Sequence, residues 1–86
     1  MNNRLELLEQ GEKKCSELLA KFPDSIALHS VAKQIDYLIG LERGLHSDRS
    51  RLKDITIGVL TAREIEQLDL DAAETFYQIA STSKGM

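Results

Sequence analysis

Few residues in this chain could carry chemistry. Cys15, His29 and His46 are its only thiol and imidazole groups, fewer than the four ligands of a closed zinc site and wrongly spaced for one. Cys15 falls on an apolar helical face, where a thiol is expected to behave as a small buried hydrophobe, not a nucleophile. Carboxylates are plentiful, as at Glu6 with Glu9 or Asp69 with Asp71, but an acid–base pair needs burial to separate its pKa values and exposed helices do not provide it. The glycines at 11, 40, 44, 58 and 85 are too scattered to form a phosphate-cradling loop. The expectation is a protein that is not an enzyme and holds no metal and no cofactor.

Two charge clusters remain. Arg43, His46, Arg49, Arg51 and Lys53 suggest a helix-turn-helix that reads a duplex, but Asp48 and Asp54 interrupt the run and no aromatic residue accompanies it. Between Glu64 and Glu74 stand five acids (Glu64, Glu66, Asp69, Asp71, Glu74) and no base. Asp69, Asp71 and Glu74 suit the positive end of a helix macrodipole. Glu64 and Glu66 have no such account, and an acidic face is what a protein offers to a basic cleft on a partner. A solvated surface and a partner-binding surface fit this pattern equally well.

Size and composition bound the rest. With 86 residues the chain has room for one domain, residues 1–86, and one core, burying about 60–65% of the surface that the unfolded chain exposes. A roofed substrate cleft needs more scaffold than this. The formal charge of −3, from 14 acids against 11 bases, disfavours nucleic acid as a partner. No apolar run approaches the ~18 residues of a membrane span, a single cysteine allows no internal disulfide, and the opening MNNRLELLEQ is charged where a signal peptide would be apolar. A reducing cytoplasm is the expected location.

The elements that must position these residues are helical. Leu5, Leu8, Cys15, Leu18, Leu19 and Phe22 recur at helical offsets over residues 3–21, and Pro23 ends the segment. Asp24 or Ser25 can cap a second helix, about 25–43, whose stripe is Leu28, Val31, Ala32, Ile35, Leu38 and Ile39, with Gly44 as its left-handed terminator. A third helix is expected from Ser47 or Asp48, with Leu52, Ile55, Thr56 and Val59 on one side. Gly58 suggests a near backbone neighbour, a bend or simple tolerance at an unimportant site, and Thr61 with Glu64 has capping-box spacing, so this helix is expected to break or restart near Leu60. A last helix begins at Asp69 or Asp71 and buries Ala72, Ala73, Phe76, Tyr77 and Ala80, with a frayed tail at about 82–86. The fold class is all-α, a small antiparallel bundle of three to four helices.

AKQIDYLIG followed by DRSRLKDITIGVLTAREIEQLD resembles the small all-helical immunity proteins that bacteria with type VI secretion systems pair with NAD(P)+-hydrolysing toxins. The similarity lies in Lys33, Gln34, Ile35, Tyr37 and Leu38, then Asp48, Arg49, Ser50 and Leu52, then Thr56, Ile57 and Gly58, then Arg63 and Glu64. It spans roughly residues 25–69. The resemblance implies an immunity protein that binds a cognate toxin domain and occludes its active site, with Arg63, Glu64, Glu66, Asp69 and Asp71 as toxin-binding residues. Two alternatives stand beside it: a small helical nucleic-acid-binding or regulatory module using Arg43, Arg49, Arg51 and Lys53, and a scaffold that pairs with copies of itself as a homodimer.

Overall fold

In a computed structural model, which describes residues 3–86, the chain forms four α-helices and, among the described residues, no strand. They are α1 (Asn3–Lys21), α2 (Ile26–Glu42), α3 (Ile57–Leu60) and α4 (Leu70–Ser83). A 3-10 turn at Leu52–Asp54 precedes α3, and a π-helical turn at Thr61–Ile65 follows it directly. The Cα radius of gyration, 12.0 Å, is what a close-packed chain of this length gives, about 12 Å.

The first two helices follow the sequence closely. Ser25 caps α2, its hydroxyl accepting from the Leu28 N–H at 3.1 Å, and the chain leaves the helix through Gly44 at φ 74°, a left-handed geometry that costs glycine nothing. Arg4 pairs with Glu42 and Arg43 with Glu9, so α1 and α2 run antiparallel with these ion pairs at the far end. The α2 stripe is buried apart from Ala32, which is half-buried. Phe22 departs from expectation: it stands 38% exposed, because Lys21 ends α1 and the ring lies in the turn.

Helix α4 closes the core by packing on α1, α3 and the π turn. Its Phe76 is the largest fully buried side chain, a burial worth roughly 1.5–3 kcal/mol, and Ile79 is equally covered. Gly11 makes the α1–α4 crossing close, since a methyl there would overlap the Ile79 Cδ1 and stand 3.3 Å from that of Ile35. Gly58 has no close backbone neighbour: an added Cβ would sit 3.4 Å from the Ala80 Cβ, an ordinary contact where α3 rests on α4. Of the expected α4 face, Ala72, Ala73 and Phe76 are buried, while Tyr77 and Ala80 are half-buried. Residues 82–86, expected to fray, include the end of α4 at Ser83, whose side chain is buried, and Met86, which packs partly against the core.

The third helix is where the chain departs most from its pattern. Residues 48–56 are not α-helical; they form a loop containing the 3-10 turn, with Leu52 and Ile55 only half-buried and Val59 53% exposed. The Thr61–Glu64 capping box does not form either. Helix α3 already supplies partners for the Thr61 N–H, so no helix start exists there to cap, and Thr61 is instead wholly buried with no partner for its Oγ1. Continuity is kept by the wider winding, in which the Glu66 N–H reaches the Thr61 carbonyl at 2.8 Å, five residues back.

Candidate functional site

The segment between α3 and α4 gathers the predicted acids, and the fold gives each a different environment. Asp69 caps α4, its Oδ1 accepting from the Ala72 N–H at 3.0 Å. Asp71 reaches across to α1 and pairs with Lys14, which raises the pKa of that ammonium. Glu66 accepts from the Tyr77 hydroxyl at 2.5 Å, and this bond raises the phenol's pKa because ionisation would forfeit the donated proton. Arg63 and Glu64 project from the π turn, exposed and without an intramolecular partner among the described residues. Three of the five predicted residues are therefore engaged in holding α4 and the π turn in place, and two point outward unengaged.

This segment borders the α1–α2 turn. Lys21, Phe22, Pro23, Asp24, Ser25, Glu64, Gln67 and Leu68 line one shallow groove, and a second beside it is lined by Lys14, Glu17, Leu18, Lys21, Asp69 and Asp71. Lys21 belongs to both. The two grooves together present Glu17, Asp24, Glu64, Asp69 and Asp71 against Lys14 and Lys21. Phe22 and Leu68 form an apolar floor that the sequence reading assigned to no surface, because Phe22 fits the α1 stripe by spacing alone.

The motif residues around α2 have structural work instead. Gln34 Nε2 donates to Thr56 Oγ1 at 3.0 Å and to Ser30 Oγ at 3.1 Å, while its Oε1 accepts from the Thr56 N–H at 2.8 Å. The Tyr37 hydroxyl donates to the Asp48 carbonyl at 2.6 Å, and its ring stacks with His46, centroids 5.3 Å apart. His46 in turn lies over Gly40, where any side chain would displace it. Ser50 holds the Asp48 carboxyl below the usual carboxylate range, through its side chain first and then through its N–H, which donates to Oδ1 at 2.9 Å. Gln34 and Tyr37 thus tie down the loop of residues 43–56 and with it the start of α3. The basic cluster sits in this loop, which starts at the other end of α2, where Arg43 is taken up by Glu9, and runs back so that Arg51 lies beside Gln34 and Tyr37.

The remaining titratable candidates are structural too. Cys15 is buried, its thiol bonded to the Leu28 carbonyl at 3.3 Å and its pKa pushed up to about 11 by loss of water. His29 Nε2 meets the Pro23 carbonyl at 2.7 Å, an acceptor that places the proton on that nitrogen. Among the described residues no three metal-ligating side chains converge, and no helix is long and apolar enough to cross a membrane.

Comparison with known proteins gives this geometry a family. A search of curated proteins finds no match. Among solved structures, Tsi6 from Pseudomonas aeruginosa superposes with a TM-score of 0.86 at 21% sequence identity, covering 95% of each chain, which establishes a shared fold. The Tsi6 family matches residues 3–84. The chain belongs to the Tsi6 family, the type VI secretion immunity proteins that its motifs resemble.

Proposed function

We propose that this chain is a cytoplasmic immunity protein that binds a cognate type VI secretion toxin, an NAD(P)+ glycohydrolase, and blocks entry of the nucleotide to its active site. The protein performs no reaction; it acts by occupying a crevice. Family membership supports the immunity role, and the motif resemblance supports the toxin class. The observation that carries the binding surface is the outward, unengaged placement of Arg63 and Glu64 on a π turn whose neighbours Glu66, Asp69 and Asp71 are held in fixed positions. A site that accepts phosphates presents positive potential, from basic side chains or helix N-termini, so a rigid acidic projection complements it and speeds encounter. Arg63 adds a fork that can pair with a carboxylate at the rim of that site.

The test is Glu64→Lys with Glu66→Lys, mixed with the cognate toxin. Inhibition should weaken and association should slow, with a shallower salt dependence. Because Glu66 also receives the Tyr77 hydroxyl, the variant's melting temperature is measured alongside. Unchanged affinity and inhibition would remove these residues from the interface.

A further inference from the structure

Four of the large apolar side chains left in water, Phe22, Ile26, Leu68 and Leu70, belong to two turns that meet at one end of the bundle. Ile26 is 86% exposed at the first position of α2 and Leu70 61% exposed at the first position of α4. Neither contributes to the fold at that exposure. Phe22 and Leu68 share the floor of one groove, and around it and its neighbour stand five carboxylates against two lysines. That balance equals the formal charge of the whole chain, −3. Of the basic cluster, Arg43 stands at the opposite end of α2, roughly 25 Å away by helical rise, whereas Arg51 lies back along that helix beside Gln34 and Tyr37. This end therefore carries an acidic rim around apolar side chains, while Arg4 and Arg43 at the far end of α2 are taken up by Glu42 and Glu9.

We infer that this end, built from the α1–α2 turn and residues 64–70, is the face that seats on the toxin domain, with Phe22 and Leu68 entering an apolar hollow and the surrounding carboxylates meeting basic side chains at its edge. The inference rests on the immunity reading and deepens it by placing the anchoring contacts on apolar residues of a turn some forty positions away in sequence from the acidic segment. Charge selects the occupant. A two-fold pairing of this face with a second copy would set one acidic rim against another, whereas a basic cleft complements it. Aromatic and aliphatic anchors sheltered by a charged rim are the usual source of tight binding, and the rim governs approach and orientation.

The experiment titrates the cognate toxin domain, identified by pull-down from the source cell with wild type, with wild type itself, with Phe22→Ala/Leu68→Ala, and with a control, Leu45→Ala/Val59→Ala, that removes exposed apolar groups elsewhere. The first pair should weaken affinity at least about tenfold while the control stays within about threefold. Ile26→Lys, at an exposed position that leaves the core intact, removes an apolar group and opposes a basic cleft, and repeats the test should the double variant lose its melting transition. Wild-type affinity in the double variant, or in Ile26→Lys where that replaces it, overturns the assignment, as does an equal loss in the control. A wild-type dimer in sedimentation that the double variant abolishes would assign the face to self-association instead. Failure of wild type to bind the toxin at all refutes the immunity reading, and this face falls with it.

Discussion

Removing the Gln34 amide should loosen the loop that the sequence alone failed to explain. Three hydrogen bonds converge on it, two to Thr56 and one to Ser30. A protein hydrogen bond contributes about 0.5–1.5 kcal/mol net, and here the lower value applies because Thr56 is exposed and Gln34 half-buried, so water replaces part of what is lost. Three bonds at about 0.5 kcal/mol each make Gln34→Ala cost about 1.5 kcal/mol. At about 4–8 °C per kcal/mol for a chain of this size, the melting temperature should fall by about 6–12 °C. Gln34→Glu separates bonding from packing: the Ser30 and Thr56 hydroxyls can rotate to donate to a carboxylate, which still accepts the Thr56 N–H, so its cost should stay under about 0.5 kcal/mol. Urea and thermal unfolding followed by circular dichroism measure both variants, and hydrogen exchange at the Thr56 amide reads the tie directly. Gln34→Ala within about 0.3 kcal/mol of wild type, or Gln34→Glu as damaging as alanine, would refute this account of the loop.

Thr61→Val should stabilise the protein by about 1 kcal/mol, because it removes a buried hydroxyl that has no partner and keeps the side chain's shape; chemical denaturation checks this, and a loss of stability would mean that the hydroxyl is bonded after all. The Cys15 thiol, raised from 9.0 to about 11, stays protonated in the native state where the unfolded thiol ionises. Its contribution is complete below pH 9 and disappears as pH climbs towards 11, so wild type should lose more stability over that interval than Cys15→Val; parallel curves would contradict the shift.

Burial periodicity made most of the helical scaffold legible. The run Leu28, Val31, Ile35, Leu38, Ile39 repeats at helical spacing because one face of α2 meets the core throughout, and the stop at Gly44 is encoded locally by the geometry that only glycine adopts freely. Residues 48–56 were not legible, because what holds them comes from α2: the Tyr37 bond to Asp48 and the Gln34 fork on Thr56 lie 11 and 22 positions apart in sequence and leave no periodic trace. Thr61 and Glu64 misled for a related reason, since capping spacing matters only where backbone donors are free, and α3 had already occupied them. The acidic segment was visible as composition, but its division into fixed and outward-facing members depended on Lys14, 57 positions from Asp71. Its apolar companion Phe22 was hidden by belonging, on spacing, to the α1 stripe.

The π turn holds one residue more than an α-helix of the same span needs. Each residue advances a helix by about 100°, so that surplus acts as a fixed angular offset between α3 and everything that follows. Chains of this family that shed one exposed residue here, such as Ala62, would run on as ordinary helix and turn the Glu66 side chain away from Tyr77, re-aiming the acidic projection without altering a single charge on it. Length at this turn is thus a second variable, independent of side-chain chemistry, that sets the direction in which this segment points.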